Sequence, residues 1–542
     1  MRQIPTRAWV LACLSGVLEL LPFPIAGPAP VWRTIFVWFA LTPLLVAILS
    51  FRRDGRPLFP WQSMIVALPA GMIWYTGNCY WIYSVMHQYG NIDVWAAALI
   101  QLGFALAGGC YHMLFAAAVS LMWRLTKRRG VALATAPFFW VAQEFARARI
   151  TQFPWDQIGV AQVDNFLLTR LAPLGGAYLM SWVIVAVSAA LAGGFLLDSV
   201  RARRSALIGG AIAMCALQSG VLLSPVQEPT TATAVLLQFN LPIRGNEAWT
   251  TDEYERNIAD FSRLSLRDCT AFVHGIQHES TPVITPDCTA SNGHIDLIAW
   301  PESPAPFEES DPRFLPWLEA LARRTDATVI AQNDAAIADP NVSNGVAMYN
   351  SAAFIQPDGT FGGRYNKVHL VPFGEYVPYA NVFSFAKPLT AEVSDFSKGT
   401  TRNVFRGGGH VVGTFICYES TFANEVRHFV INGAQVLVNV SDDGWYGDTS
   451  APWQHLQMAR LRAIENHRWV LRSTNTGVTA AIDPQGRVTQ SVPRHMRTSL
   501  AAQFGYRDDV TFYTRHGDWF AWLCVMVSVL SLAGAGIYRG AL

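Results

Sequence analysis

Residues 411–420 read Val-Val-Gly-Thr-Phe-Ile-Cys-Tyr-Glu-Ser. A largely apolar, β-prone run leads without alternation into a thiol and then a carboxylate. Such a run suits a strand buried on both faces, as in sheets covered by helices. Val235–Phe239, Ile295–Trp300, Thr328–Ala331 and Gln435–Val440 have the same character, and each ends in a polar cluster. Between these runs, Pro312–Arg324 and Pro452–Arg472 carry apolar residues at three- and four-residue spacing, which predicts helices. Strands alternating with helices predict a layered α/β domain, with functional side chains just past the strand ends.

Outside this domain the chain changes character. Of its 542 residues 51% are hydrophobic and 15% charged, whereas soluble domains carry about 25% charged residues. Apolar runs at about 9–25, 31–50, 62–83, 94–123, 131–146, 178–197 and 206–224 predict seven membrane helices. An eighth is predicted from Trp519 to Tyr538. The expected division is a membrane domain at 1–224, the α/β domain at 225–518, and a last helix with a short tail at 519–542. The first run starts like a signal peptide, but Leu20, Leu21, Pro22 and Phe23 stand where small cleavage-site residues would be, so a retained helix is expected. The formal charge of +1 offers no basic field for nucleic acid.

Basic residues fall on alternate connections: Arg2 and Arg7, then Arg52, Arg53 and Arg56, then Arg124, Lys127, Arg128 and Arg129, then Arg201, Arg203 and Arg204, and finally Arg539. By the positive-inside rule the α/β domain then lies outside the cytoplasm. Arg147, Arg149 and Arg170 break the pattern, in a connection that also holds Phe153, Pro154 and Trp155 and reads either as an interfacial arm or as a solvated loop.

Three places carry chemistry. Glu302 follows the run ending Ala299-Trp300-Pro301, Cys417 follows Phe415-Ile416, and Lys367 sits in Arg364-Tyr365-Asn366-Lys367-Val368-His369. A cysteine nucleophile needs a base, a carboxylate in a partly dry pocket can be one, and a fixed cation can hold the oxyanion of acyl transfer. Taken singly, each has an ordinary structural explanation: a small buried side chain, a cap, a solvated charge.

Joined to the surrounding motifs, the three become recognisable. WPES at 300–303, RYNKVHLVPFGEYVP at 364–378, ICYES at 416–420, SDDGWYG at 441–447, PWQHLQMARLRAIE at 452–465 and RSTNTGV at 472–478 resemble the bacterial apolipoprotein N-acyltransferases, the membrane-integrated branch of the nitrilase superfamily. The eight spans and the insertion before the last match as well. The resemblance implies an αββα sandwich on the periplasmic face of the bacterial inner membrane, with a Glu302–Lys367–Cys417 triad. It implies acyl transfer through a Cys417 thioester, from a phospholipid such as phosphatidylethanolamine to the amine of a diacylglyceryl-cysteine apolipoprotein. Glu375 and Glu419 match supporting carboxylates of the family. Asn240, Trp249, Tyr418 and Trp445 match residues that line its pocket, and Trp155 is expected near the thiol from the membrane side.

The resemblance calls for neither cofactor nor metal, and nothing demands more than a monomer. Gly407-Gly408-Gly409 reads as a turn and not as a phosphate loop. Two other readings stay open: an amidase that passes the acyl group to water, and a scaffold with a relic domain. The stretch from Arg267 to His294 looks longer than in the family, and its Cys269 and Cys288 are either a disulfide or two free thiols.

Overall fold

The computed structural model describes residues 3–243, 249–268, 289–290, 293–303, 305, 307–340, 342, 345–372, 374–376 and 396–540. Cys269 and Cys288 lie outside the described residues.

The N-terminal part is a helical bundle. It comprises α1 (Thr6–Leu20), a 3₁₀ segment Val31–Phe39 leading into α2 (Thr42–Ile48), α3 (Pro60–Asn78), α4 (Trp81–Gln88), α5 (Val94–Thr126), α6 (Arg129–Ala146), α7 (Ala172–Leu196) and α8 (Val200–Gln218). Five stretches among the described residues are long and apolar enough to cross a membrane: Val31–Ile48, Val94–Thr126, Leu168–Leu196, Val200–Leu222 and Trp519–Arg539. The other expected spans are helical but different. The first, α1, has 15 residues. The third breaks at Cys79 into α3 and the short α4, and the fifth, α6, buries Glu144. Small residues set the packing. A Cβ on Gly71 would stand 2.8 Å from the Gly109 Cα, so α3 and α5 touch backbone to backbone.

The α/β part follows. In chain order it holds β1 (Ala232–Gln238), α9 (Thr251–Ser265), a two-residue pair β2 (Arg267–Asp268) and β3 (Thr289–Ala290), β4 (Leu297–Trp300), α10 (Phe314–Thr325), β5 (Thr328–Ala338), β6 (Val346–Ile355) and β7 (Phe361–Asn366). Then come β8 (Val404–Gly407), β9 (His410–Ile416), α11 (Ala423–Ile431), β10 (Val436–Ser441), α12 (Ala451–Asn466), β11 (Val470–Thr474), β12 (Ala480–Ile482), β13 (Val488–Ser491), β14 (Thr498–Phe504), α13 (Phe512–His516) and α14 (Trp519–Gly540).

The strands form two six-stranded sheets, ordered β14-β1-β4-β5-β6-β7 and β13-β12-β11-β10-β9-β8. The five predicted apolar runs are β1, β4, β5, β9 and β10. β1, β4 and β5 are parallel, as are β9, β10 and β11. Alternation along β1 splits its side chains between two cores. Ala234 and Leu236 share one with the second sheet, while Val235 and Leu237 share another with α9 and α10. The sheets are also joined by Ser473, whose hydroxyl is shared by the carbonyls of Leu237 (2.7 Å) and Ala299 (3.0 Å). The result is an αββα sandwich. Gly408 and Gly409 take positive φ in the β8–β9 hairpin, so the glycine run is a turn.

One predicted helix is corrected. Pro452–Arg472 does not run through: α12 stops at Asn466, and His467 takes a left-handed φ of 50°. The chain then reverses into β11, whose β-branched and buried residues pair with β10.

Helix α12 also ties the sandwich to the bundle. Gln454 accepts from Trp155 Nε1 (2.8 Å) and donates to the carbonyls of Asn78 (2.9 Å) and Pro24 (3.0 Å). Glu465 accepts from the Ala177 N–H (3.2 Å), one residue past the non-helical kink at Gly176 in α7. Two of the three basic residues that broke the charge pattern are part of this junction, while Arg170 is exposed. Arg147 is buried and donates to the Trp155 carbonyl (2.7 Å), and Arg149 pairs with Asp518 (2.6 Å).

Packing of β9 under α11 depends on Gly413, where a Cβ would meet the Phe429 Cβ at 2.8 Å and the Ala434 Cβ at 3.0 Å. Gly413→Val is expected to cost about 1–3 kcal/mol by overpacking, read as a lowered thermal midpoint of the detergent-solubilised protein.

Candidate active site

The strand ends deliver the side chains. Glu302 follows β4, Lys367 follows β7, Cys417 follows β9, and Asp442 and Asp443 follow β10. All five are buried, Lys367 to 1% exposure and Cys417 to 5%. The three residues expected to act together are brought together.

Lys367 is the centre of charge. Its Nζ stands 2.8 Å from Glu375 Oε1 and 3.3 Å from Glu302 Oε1. Asn350, on β6, ties the two carboxylates by donating to Glu302 Oε1 (2.8 Å) and Glu375 Oε1 (2.7 Å). The Asp442 N–H donates to Glu302 Oε2 (2.9 Å). Burial alone would lower the lysine, but the Glu302 and Glu375 carboxylates outweigh it and hold it above the ordinary lysine range. It is a permanent cation.

Cys417 opens a 3₁₀ turn, Cys417–Thr421, and takes a left-handed φ of 49°. That conformation costs a non-glycine residue about 1–2 kcal/mol, and such strain collects at functional sites. Glu419 staples the turn. It accepts from the Ile416 N–H (2.8 Å), the Tyr365 hydroxyl (2.7 Å) and the N–H groups of Val368 (2.7 Å) and His369 (3.1 Å). One carboxylate thereby fixes the cysteine turn against the lysine segment. Burial pushes the Cys417 thiol well above its ordinary value, Glu302 adds to this, and Lys367 opposes it. The resting group is a neutral thiol, and it would need a base to act as a nucleophile.

A second buried cluster lies behind the cysteine. Asp443 Oδ2 pairs with Arg472 Nη2 (2.6 Å), and its Oδ1 stands 2.8 Å from His455 Nδ1. His455 Nε2 is 3.0 Å from the Cys417 carbonyl oxygen. Burial would raise Asp443, but Arg472 and His455 hold it well below the usual carboxylate range. Asn350, Asp443, His455 and Arg472 were not singled out from the sequence. A usable signal is a charged or amide residue inside a strand or helix that must be buried, which needs a partner.

The remaining expected residues are spread out. Tyr418 is buried, and its hydroxyl donates to the Gln152 carbonyl in the bundle (2.9 Å). Trp155 is wholly buried and stacks on Tyr418 (6.5 Å) and His455 (5.8 Å). It therefore braces the junction from within. Asn240 lies two residues past β1, and its amide group donates to the His495 carbonyl (3.0 Å). Trp249 packs on the core of Phe239, Tyr254 and Phe307, a different core from that of Cys417. Trp445 is 45% exposed and meets Tyr89 edge-on at 5.7 Å.

Comparison with known proteins fits this geometry. The family described as Carbon-nitrogen hydrolase matches residues 240–503, and the Apolipoprotein N-acyltransferase N-terminal domain matches residues 15–190. A relative from Geobacter metallireducens, named Apolipoprotein N-acyltransferase, is 32% identical over 96% of this chain and 94% of its own. This chain belongs to the apolipoprotein N-acyltransferase family. A relative of the same name from Methylococcus capsulatus is 31% identical over 95% of this chain and 93% of its own. Among solved structures, Saccharomyces cerevisiae Nit3 is 15% identical, covering 51% of this chain and 90% of that one, with a TM-score of 0.35. As a member of the N-acyltransferase family the chain is an enzyme, a membrane-integrated acyltransferase with a nitrilase-type domain.

Arg472→Met leaves Asp443 buried without its cation, and the expected loss is about 3–5 kcal/mol. Replacing both, Arg472→Met with Asp443→Leu, is expected to recover most of it. Because the Asp443 value is depressed in the fold, its contribution is present above about pH 4 and is lost as pH falls through the lower folded value. Thermal midpoints across pH for the three proteins check both statements.

Proposed function

We propose that the chain moves an acyl chain from a phospholipid, phosphatidylethanolamine foremost, to the α-amine of the diacylglyceryl-cysteine of an apolipoprotein. The supporting observation is a buried thiol in a strained turn, beside one carboxylate and one permanent cation, at the junction with a helical bundle.

The reaction has two halves. Glu302 takes the Cys417 proton as sulfur attacks the ester carbonyl, and the Lys367 ammonium stabilises the oxyanion. The carbon–oxygen bond breaks, the thioester remains, and Glu302 returns the proton to the departing lysophospholipid oxygen. In the second half the neutral α-amine attacks the thioester. The carbon–sulfur bond breaks, an amide forms, and the amine proton passes through Glu302 to the thiolate. Glu375 holds the lysine, and Glu419 holds the turn.

The architecture suits lipid substrates. Drawing an acyl chain out of a bilayer costs about 0.8 kcal/mol per CH₂, so a thiol at the bundle junction spares that cost. Within this reading residues 1–224 and 519–542 form the membrane part, with eight crossings in the bacterial inner membrane. Residues 225–518 face the periplasm, and the enzyme works as a monomer.

The direct test supplies the purified full chain with phosphatidylethanolamine bearing a deuterated acyl chain and with a diacylglyceryl-cysteine peptide. The expected product is a triacylated peptide carrying the label. Release of labelled fatty acid at the same rate with and without peptide would mean that the acyl group passes to water and that the chain is a hydrolase instead. Cys417→Ser is expected to abolish transfer while preserving the fold, because the hydroxyl is far less acidic than the thiol. Glu302→Gln keeps the shape and loses the base, for an expected fall of roughly 10²–10⁴-fold, measured as the rate of Cys417 acylation by intact-mass spectrometry.

A further inference from the structure

The main chain of Cys417 does not hold its left-handed conformation by itself. A side chain of that size disfavours positive φ, and no glycine is present to remove the penalty. Glu419 fixes the chain on the N-terminal side of the cysteine, through the Ile416 N–H. On the C-terminal side the contact is the Cys417 carbonyl, 3.0 Å from His455 Nε2. A carbonyl can only accept, so a hydrogen bond there requires the proton on His455 Nε2. Its other nitrogen faces Asp443 Oδ1 at 2.8 Å, and Asp443 is itself fixed by Arg472 at 2.6 Å. Trp155 stacks on the ring at 5.8 Å, and Tyr446 meets it edge-on at 6.1 Å. All three charged or titratable members of this relay are wholly buried.

We propose that His455 is a positioning residue for the nucleophile, its Nε2–H clamping the Cys417 carbonyl so that the left-handed turn presents the thiol to Glu302 and Lys367. Asp443 and Arg472 orient the ring, and Trp155 carries the clamp to the membrane bundle. The ring does not touch the reacting atoms and exchanges no proton with substrate. A peptide group is planar, so holding its carbonyl also fixes the direction of the Tyr418 N–H on the opposite side. Loss of the clamp lets Cys417 relax toward negative φ and swings the thiol out of line. The consequence falls on the rate of attack and leaves lipid binding alone, since the ring lies behind the turn. This proposal rests on the acyl-transfer reading above.

The test compares His455→Gln with His455→Met in the full-length protein. The two side chains have similar length, and only glutamine can donate to the carbonyl. Acylation of Cys417 by phosphatidylethanolamine is followed by intact-mass spectrometry over a range of donor concentration. The Gln variant is expected to keep kcat within about tenfold of wild type. The Met variant is expected to lose about 100-fold or more in kcat with KM changed less than about threefold. A Met variant with the kcat of the Gln variant, both folded by thermal melt, would overturn the clamp. So would equal large losses in both. Should the Met variant not fold, Asp443→Asn carries the test. It unfixes the ring, and a wild-type kcat there would overturn the proposal, whereas a tenfold fall at constant KM supports it. Wild-type protein that forms no acyl adduct would instead refute the transferase reading, independently of His455.

Discussion

A lysine ammonium buried to 1% exposure between two carboxylates is the constraint around which this molecule is organised. A charge in so dry a place is tolerated only when paired and hydrogen-bonded. Glu375 and Glu302 supply the pairing, and Asn350 and the Asp442 N–H hold the carboxylates in place. Glu302 follows β4, Asn350 lies on β6, Lys367 and Glu375 follow β7, and Asp442 follows β10 of the second sheet, so the pairing requires both sheets to be in register. The same low dielectric that makes Lys367 costly would make it effective against the oxyanion of the proposed reaction. The thiol beside it stays protonated because burial outweighs the lysine's attraction. In the proposed reaction, proton removal is thereby coupled to attack.

The second organising feature is α12, which serves three masters at once. Gln454 bonds to the bundle, the adjacent His455 to the Cys417 carbonyl, and Glu465 to the freed N–H at the kink of α7. Burial pushes Glu465 up to about 7, with Arg462 opposing. The Cys417 turn, α12 and the helical bundle are therefore one packed unit. Tyr418, next to the cysteine, reaches the bundle directly through Gln152.

Much of this was legible from residues alone, and the rest was not, for physical reasons. The strands β1, β4, β5, β9 and β10 stand out because burial on both faces demands continuous apolar runs. Glu302, Lys367 and Cys417 stand out because they follow such runs or sit in an unusual polar context. Helix α12 was overrun into β11 because apolar spacing persists through Trp469 and Leu471, while the stop depends on His467 adopting positive φ. Asn350, Asp443, His455 and Arg472 were not singled out, because a polar residue in a buried element signals only that it needs a partner and not which one. A buried polar side chain declares itself only through its partner, and these partners are brought close by sheet pairing. Two of the arginines that disturbed the charge pattern were unreadable likewise: Arg147 serves the Trp155 carbonyl, and Arg149 serves Asp518.

The central claim is that acyl chains pass through sulfur, and one measurement addresses it most directly. Wild-type protein is incubated with phosphatidylethanolamine alone, digested, and the Cys417 peptide is weighed, before and after a chase with the diacylglyceryl-cysteine peptide. The account requires a mass increase of one acyl chain on Cys417, labile to hydroxylamine as a thioester is, that disappears into the peptide during the chase. Labelled triacylated peptide formed at full rate while Cys417 never carries an acyl group would contradict it.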